Sequence, residues 1–361
     1  MTILLIISAL IQLVYWFYYF NSLALLKSAA TPKIQRLSVP VSIVICAKNA
    51  AKLLQANLPI VSQQKYHQYD INITNDFSTD GTSELLKRID NEKRILFEHK
   101  VSKNIAGKRA ALWEGITNSR HSWVMLTDAD CRPRSDLWIQ SMMQARTSPD
   151  HRLVLGYSPY RTAGTIVSWW SHFEAWITGL LYLSLAHKGQ PYMGVGRNLG
   201  YDKALLDRAH LDHYDHLASG DDDLTVMQMA TAKNTVICLD PSSFVETEAE
   251  PSWKAYFNQK RRHYSTATSY KMNTIMLLSG YSLSQIGFYF LLVWVLLTKG
   301  VLIALSIYLI RLILILPVVH RLSLRLEAEF HLLLFPLFDL GLACYYLIFS
   351  FSVLFPKKKT W

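Results

Sequence analysis

The sequence predicts an α/β domain with a mostly parallel sheet, set between transmembrane helices at its N- and C-terminal ends. Three observations predict it. Short apolar, β-branched runs alternate with helical patterns between residues 41 and 127. Polar motifs gather at the ends of those runs, and long stretches nearly without charge open and close the chain.

Ile3 to Leu26 is almost uninterruptedly apolar and aromatic, long enough for a bilayer core of ~30 Å. A cleaved signal peptide fits poorly, because no basic region precedes the run and no clear small-residue cleavage site follows it. Residues 1–27 therefore form the first anchor. Lys27, Lys33 and Arg36 come next, and the positive-inside rule then places the following domain, residues 38–271, in the cytoplasm.

Within that domain Val41–Ala47, Asp70–Asn75, Arg94–Glu98 and Ser122–Thr127 read as strands. Ala51–Gln63, Ser83–Asp90 and Gly107–Asn118 read as the helices between them. Such βαβ units build a parallel sheet, and ligands on these sheets bind beyond the carboxyl ends of the strands. Residues 165–185 carry a helical stripe that includes Trp169, Trp170, Phe173, Trp176 and Leu180; it reads as core or as an interfacial helix, with the second slightly favoured.

The closing membrane region, residues 274–355, holds three further segments: Ile275–Leu297, Val301–Val319 and Phe330–Leu354. Lys299-Gly300 reads as the turn between the first two. Arg311 and Asp339 interrupt the others, and a charge at such depth is expected to face a partner. Four full spans would put the basic tail, residues 356–361, on the side opposite to the one its lysines favour. One segment is then re-entrant or interfacial, or the charge rule fails here.

Composition narrows the function classes. Hydrophobic residues make up 51% and charged residues 18%, with a formal charge of +10. The basic residues are dispersed or flank apolar stretches, as cations beside a membrane do, so nucleic-acid binding is not expected. Cys46, Cys131, Cys238 and Cys344 stand far apart, without zinc-ligand or redox spacing, and no disulfide framework is expected.

The chemistry-bearing residues fall at the predicted strand ends. Lys48-Asn49 follows the first strand, Asp76 the second, and Asp128 and Asp130 the fourth. In an extended chain Asp128 and Asp130 point the same way, and two carboxylates on one side can hold Mg²⁺ or Mn²⁺. A turn rich in aspartate is the plain alternative. Ser78, Thr79 and Asp80 are helix-capping types, and capping explains Asp80 as well as function does. Gly194–Tyr201 is glycine-rich without the spacing of a dinucleotide fingerprint, so it reads either as a turn or as a loop admitting substrate. Asp221, Asp222 and Asp223 open a helix expected to run to Ala232; adjacent carboxylates suit both a helix N-terminus and a general base. Gln259-Lys260-Arg261-Arg262-His263 is a juxtamembrane basic patch or a phosphate-binding arginine cluster.

Taken in order, these motifs resemble the membrane-associated glycosyltransferases of family 2, which have the GT-A fold. Their relatives include hyaluronan, cellulose and poly-N-acetylglucosamine synthases and ceramide glucosyltransferase. The resemblance covers roughly Val39 to Lys271 and the flanking spans. It implies that Asn49, Asp76, Lys108, Asp128, Gln259 and Arg262 bind a nucleotide sugar, UDP-linked by expectation. It implies that Asp128 and Asp130 hold the metal, with Asp130 the more direct ligand. Gly220-Asp221-Asp222 resembles the segment of the catalytic base, assigned to Asp222, or to Asp221 if Asp223-Leu224 sets the register. Asp223, Arg261, His263, Gly196 and Asn198 fall to the acceptor side.

The resemblance implies metal-dependent inverting transfer to a lipid-linked or cell-envelope glycan acceptor by an integral protein of the bacterial inner membrane. No required protein partner is evident from the sequence. His263 replaces the tryptophan of the family's Gln-x-x-Arg-Trp signature, Ala50 replaces an acidic residue, and the C-terminal set of spans is small for a polymer channel. These departures weigh against a processive synthase. The other readings are a non-catalytic membrane-anchored nucleotide-sugar-binding protein, a sugar-nucleotide pyrophosphorylase and a transporter. The first predicts broken acidic motifs, the second a glycine-rich nucleotide loop, and the third more spans.

Overall fold

The structure, a computed structural model, describes residues 1–26, 39–89, 95–100, 108–206, 222–264, 266 and 269–352. The chain divides into two compact units. One takes Lys27–Arg161 and Gly189–Glu248; the other takes Met1–Leu26, Thr162–Lys188 and Ala249–Lys358.

The first unit is built on a seven-stranded sheet. Its strands are β1 (Val41–Ala47), β2 (Tyr69–Asn75), β3 (Ile95–Lys100), β4 (Trp123–Asp128), β6 (Leu153–Gly156), β8 (Leu199–Asp202) and β9 (Thr235–Cys238), in the order β3-β2-β1-β4-β8-β6-β9. β1, β2, β3 and β4 are mutually parallel, as are β6 and β9. The central strands are buried on both faces, which is why β1 reads as a continuous apolar run and not as an alternating one. Val41, Ile43 and Ile45 pack with Ile71 and Ile73 under Leu54, Leu58 and Val61 of the helix Ala51–Ser62. On this sheet the helix Lys108–Thr117 comes so close at Gly115 that an added Cβ would stand 2.7 Å from Thr74 Oγ1 and from Val44 Cγ1.

Two strands of this sheet have no counterpart among the expected ones: β6 is only four residues long, and β8 begins inside the glycine-rich stretch at Leu199. β8 also runs antiparallel to both β4 and β6, so the sheet is mixed. A second sheet of three strands has β10 (Val245–Glu248) at its centre, between β5 (Cys131–Pro133), antiparallel, and β7 (Tyr160–Arg161), parallel.

The other unit is helical. Four of its helices are long and apolar enough to cross a membrane: Thr2–Ala24, Met272–Lys299, Val301–Arg325 and Leu332–Ser350. Gly300 joins the second and third at φ 99°, a backbone region that glycine enters without steric cost. Ile166–His187 is one continuous helix, opened by a capping box in which Ser168 N–H donates to Thr165 Oγ1 and Thr165 N–H donates to Ser168 Oγ. Most of its side chains are buried, among them Phe173 and Trp176, while Ile166 and Trp169 at its start are exposed. Arg311 and Asp339, the two charges that interrupt the apolar segments, face each other: Arg311 Nη1 lies 2.7 Å from Asp339 Oδ2.

Candidate active site

Parallel strands in register carry the polar residues to one edge of the sheet. Ala47 pairs with Asn75, and Cys46 pairs with Asp128, so the ends of β1, β2 and β4 lie side by side. The loops that follow β1 and β2 are clasped together. Asn49, in the left-handed region at φ 51°, accepts from Thr79 N–H at 2.8 Å and donates its own N–H to Ser78 Oγ. Asp80 accepts from Ala51 N–H with Oδ2 and from Thr82 N–H with Oδ1, which caps two helices with one carboxylate. Its carboxyl is held below the usual value by the Thr82 hydroxyl first, against a small burial cost, and then by the Ala51 and Thr82 amides. The capping account of Asp80 is therefore sufficient.

Asp76 is different. It is fully buried and pairs through Oδ2 with Lys48 Nζ at 3.1 Å, while its Oδ1 is buried with no hydrogen-bond partner. A buried, unmatched carboxylate oxygen at a strand end is an acceptor suited to a ligand's N–H or O–H.

At the end of β4 the ligand atoms of Asp128, Asp130 and Cys131 lie within 4.8 Å of one another. Lys108 Nζ sits 2.8 Å from Asp128 Oδ1. Each oxygen of Asp130 accepts one bond: Oδ1 from Cys131 Sγ at 3.2 Å and Oδ2 from Thr247 Oγ1 at 3.1 Å. A carboxylate oxygen has two lone pairs, so each keeps one for a cation. Burial drives the Cys131 thiol well above its ordinary pKa, with Asp130 and Asp128 adding to the rise and Arg197 opposing it. Two carboxylates on one side fit Mg²⁺ or Mn²⁺, which prefer oxygen ligands.

The glycine-rich stretch supplies a second carboxylate anchor. Gly196 N–H donates to Asp222 Oδ2 at 2.7 Å, and Asp223 N–H donates to Asp222 Oδ1 at 3.0 Å. A Cβ on Gly196 would stand 3.3 Å from Asp222 Oδ2, so the glycine admits this approach. Arg197, next in sequence, is held by Ser158 and Tyr160 and lies 4.8 Å from the Tyr160 ring centre. Burial opposes its charge, yet Tyr160, Cys131 and Asp128 keep its pKa above the usual guanidinium value. Arg197 thus relates the loop that anchors Asp222 to the acidic group of β4. Nothing in a lone arginine between glycines marks that role in the sequence.

Not every expected site residue keeps an open side chain. Asn198, expected on the acceptor side, is fully buried. Its Oδ1 accepts from Trp138 Nε1, and its Nδ2 donates to Tyr157 O and Ser243 O. Both amide donors are thereby engaged inside the protein, which makes Asn198 a strut beneath the loop and corrects the expected contact with acceptor. Asp223, also expected there, is buried at the start of the helix Asp223–Met229, which is shorter than the run to Ala232 read from the sequence. Asp221 lies outside the described residues.

Gln259, Arg261, Arg262 and His263 lie on the helix Trp253–Tyr264 of the other unit. There Gln259 Nε2 donates to Glu250 Oε1 at 3.0 Å, and Lys260 forms a buried ion pair with Glu174.

The family model described as Glycosyl transferase family 2 matches residues 42–208, a stretch that includes Asn49, Asp76, Lys108, Asp128, Asp130, Gly196 and Asn198. Among solved structures, a mannosyltransferase, PcManGT, from Pyrobaculum calidifontis in complex with GDP-Man and Mn²⁺ superposes with a TM-score of 0.63 at 14% identity, over 98% of this chain and 100% of that one. TarS 1–349 of S. aureus in complex with UDP-GlcNAc gives 0.46 at 12% identity, over 85% of this chain and 90% of that one. No curated protein sequence matches. Residues 42–208 thus carry a glycosyl transferase family 2 domain, and the fold is GT-A.

Proposed function

We propose that the chain transfers a sugar, with inversion, from a nucleotide-diphosphate sugar to a membrane-associated acceptor, a lipid-linked or cell-envelope glycan. The single observation that carries this reading is the fixed Asp222 carboxylate. Two backbone N–H groups hold its two oxygens, one on each, and leave a lone pair on either to take a proton. In the step, the acceptor hydroxyl gives its proton to Asp222 as its oxygen attacks the anomeric carbon. The carbon–oxygen bond to the diphosphate breaks on the opposite face, and its electron pair leaves with the diphosphate. One displacement inverts the anomeric centre.

Asp130 and Asp128 would hold Mg²⁺ or Mn²⁺, which supplies charge stabilisation for the leaving diphosphate. Lys108 and, by the family resemblance, Arg262 and Gln259 contribute positive charge and hydrogen bonds to the same group. Asp76 presents its unmatched oxygen to the nucleotide. Arg261, His263 and Gly196 fall to the acceptor side. The four apolar helices in the same chain support the acceptor class, the basic residues after the first of them support a cytoplasmic catalytic domain, and the resemblance to envelope enzymes supports the bacterial inner membrane.

The test is release of nucleoside diphosphate by purified full-length protein from a panel of nucleotide sugars, with and without Mg²⁺ or Mn²⁺. Metal-dependent release from one donor is the expected outcome, and product stereochemistry then reports inversion. Equal release in excess chelator overturns the metal assignment, and retention of configuration overturns Asp222 as base.

A further inference from the structure

We infer that Thr247 is a positioning residue for the metal-binding carboxylate, and that it acts by clamping Asp130 from a strand 117 residues away in sequence. The inference rests on the metal site proposed above.

Thr247 lies in β10, the central strand of the three-stranded sheet. It pairs with Cys131 of β5 on one side and with Tyr160 of β7 on the other, so its position is fixed from two directions. Its side chain is buried at 3% exposure, and β-branching restricts the rotamers open to it. A buried hydroxyl needs a partner. Here the hydroxyl donates to Asp130 Oδ2 at 3.1 Å. Asp130 is exposed, and its Oδ1 is held by the Cys131 thiol, a weak donor. Without the threonine the carboxylate would turn about its terminal torsion, which is soft for aspartate.

Partners of this kind hold metal ligands in the orientation that binding requires, and their loss commonly lowers metal affinity ~10–100-fold. The neighbouring residues of β10, Glu246 and Glu248, point to the other face and pair with Arg134 and Arg161. In β10 the threonine hydroxyl is therefore the group directed at the acidic cluster.

The experiment is titration of Mn²⁺ by electron paramagnetic resonance on the purified full-length chain, with UDP or GDP present, for wild type, Thr247→Val, Thr247→Ser and Asp130→Ala. Thr247→Val keeps the shape and the strand preference but removes the hydroxyl. It is expected to weaken Mn²⁺ binding ~10–100-fold, with an unchanged thermal midpoint without metal, while Thr247→Ser binds close to wild type. Thr247→Ala replaces the valine variant if that one does not fold. Wild-type affinity in the hydroxyl-free variant, with Asp130→Ala defective, overturns the clamp and leaves the metal site standing. Equal loss in the serine variant also overturns it, because shape and not the hydroxyl would then be responsible. Absence of saturable Mn²⁺ binding in wild type, or wild-type binding by Asp130→Ala, removes the metal site and this inference with it.

Discussion

Asp130, Asp222 and Asn198 are all polar residues next to loops, yet their surroundings give them different work. Asp130 and Asp222 each hold two hydrogen bonds and keep lone pairs for chemistry. Asn198 has both of its amide donors engaged by protein carbonyls. Asp130→Ala is expected to lower turnover ~10²–10³-fold, the usual result of removing a group that stabilises transition-state charge. Asp222→Asn is expected to lower it ~10²–10⁴-fold, with melting behaviour unchanged, because the amide cannot accept the proton. Steady-state release of nucleoside diphosphate measures both, and near-wild-type turnover of either variant removes its assignment. Asn198→Ala behaves in another way: it orphans Trp138 Nε1 and Ser243 O at once, each at about 1–3 kcal/mol, and leaves Tyr157 O with the long bond from Val245 N–H at 3.5 Å. A denaturation midpoint lowered by several kcal/mol equivalents is the expected outcome, and a change confined to acceptor KM contradicts it.

The elements are joined by shared caps and close approaches. One carboxylate, Asp80, caps the helices Ala51–Ser62 and Thr82–Ile89 and so ties the loop after β1 to the loop after β2. Asp80→Ala is expected to lower stability by about 1 kcal/mol at neutral pH, as the loss of a good cap does. Because its pKa is depressed in the folded chain, this contribution is present above the unfolded value near 3.8 and lost as pH falls through the lower folded value. Urea unfolding of wild type and variant should therefore differ at pH 7 and converge in strong acid. A constant difference across that range means the ionised carboxylate is not the cap. On the helical unit, the helix Trp253–Tyr264 is fixed from beneath by the buried pair of Lys260 with Glu174 of the helix Ile166–His187, and Tyr345 and Thr178 also donate to that glutamate. The arginine pair Arg261 and Arg262 follows Lys260 directly, so its facing depends on that anchor.

At the scale of the whole chain, one polar network joins all four membrane-length helices. Arg311 pairs with Asp339 through two nitrogens, donates to Gln12, and lies 4.6 Å from the Phe288 ring centre. Gln285 and Tyr289 complete the bonding of Asp339, and Gln12 Nε2 donates to Ser284 O at 2.8 Å. Removing one charge strands the other: Asp339→Ala is expected to cost ~3–5 kcal/mol, read as a sharp fall in folded protein recovered in detergent. The double change Arg311→Met with Asp339→Leu should recover much of that loss, because a packed apolar pair replaces a satisfied ionic one. A double variant as unstable as the single one rules out charge stranding as the cause.

Much of this was legible in sequence wherever a residue's own chemistry dictates its place. β1 and β4 read as apolar runs and β2 as an alternating one, and all three fall within a residue of expectation. Bilayer-length apolar segments identify themselves, and the strand-end carboxylates Asp76, Asp128 and Asp130 follow from the alternation of strands and helices. What only the tertiary structure decided depends on partners distant in the chain. The antiparallel β8 is four residues with a glycine, too short for a period to show, and its direction is set by β4 and β6 on either side. Asn198 looked like a loop contact until three buried groups closed around it. Thr247 carries no motif at all, and only the pairing of β10 with β5 brings its hydroxyl to Asp130. Local propensity and burial are written residue by residue, whereas a hydrogen bond across 117 positions exists only once the sheets have formed.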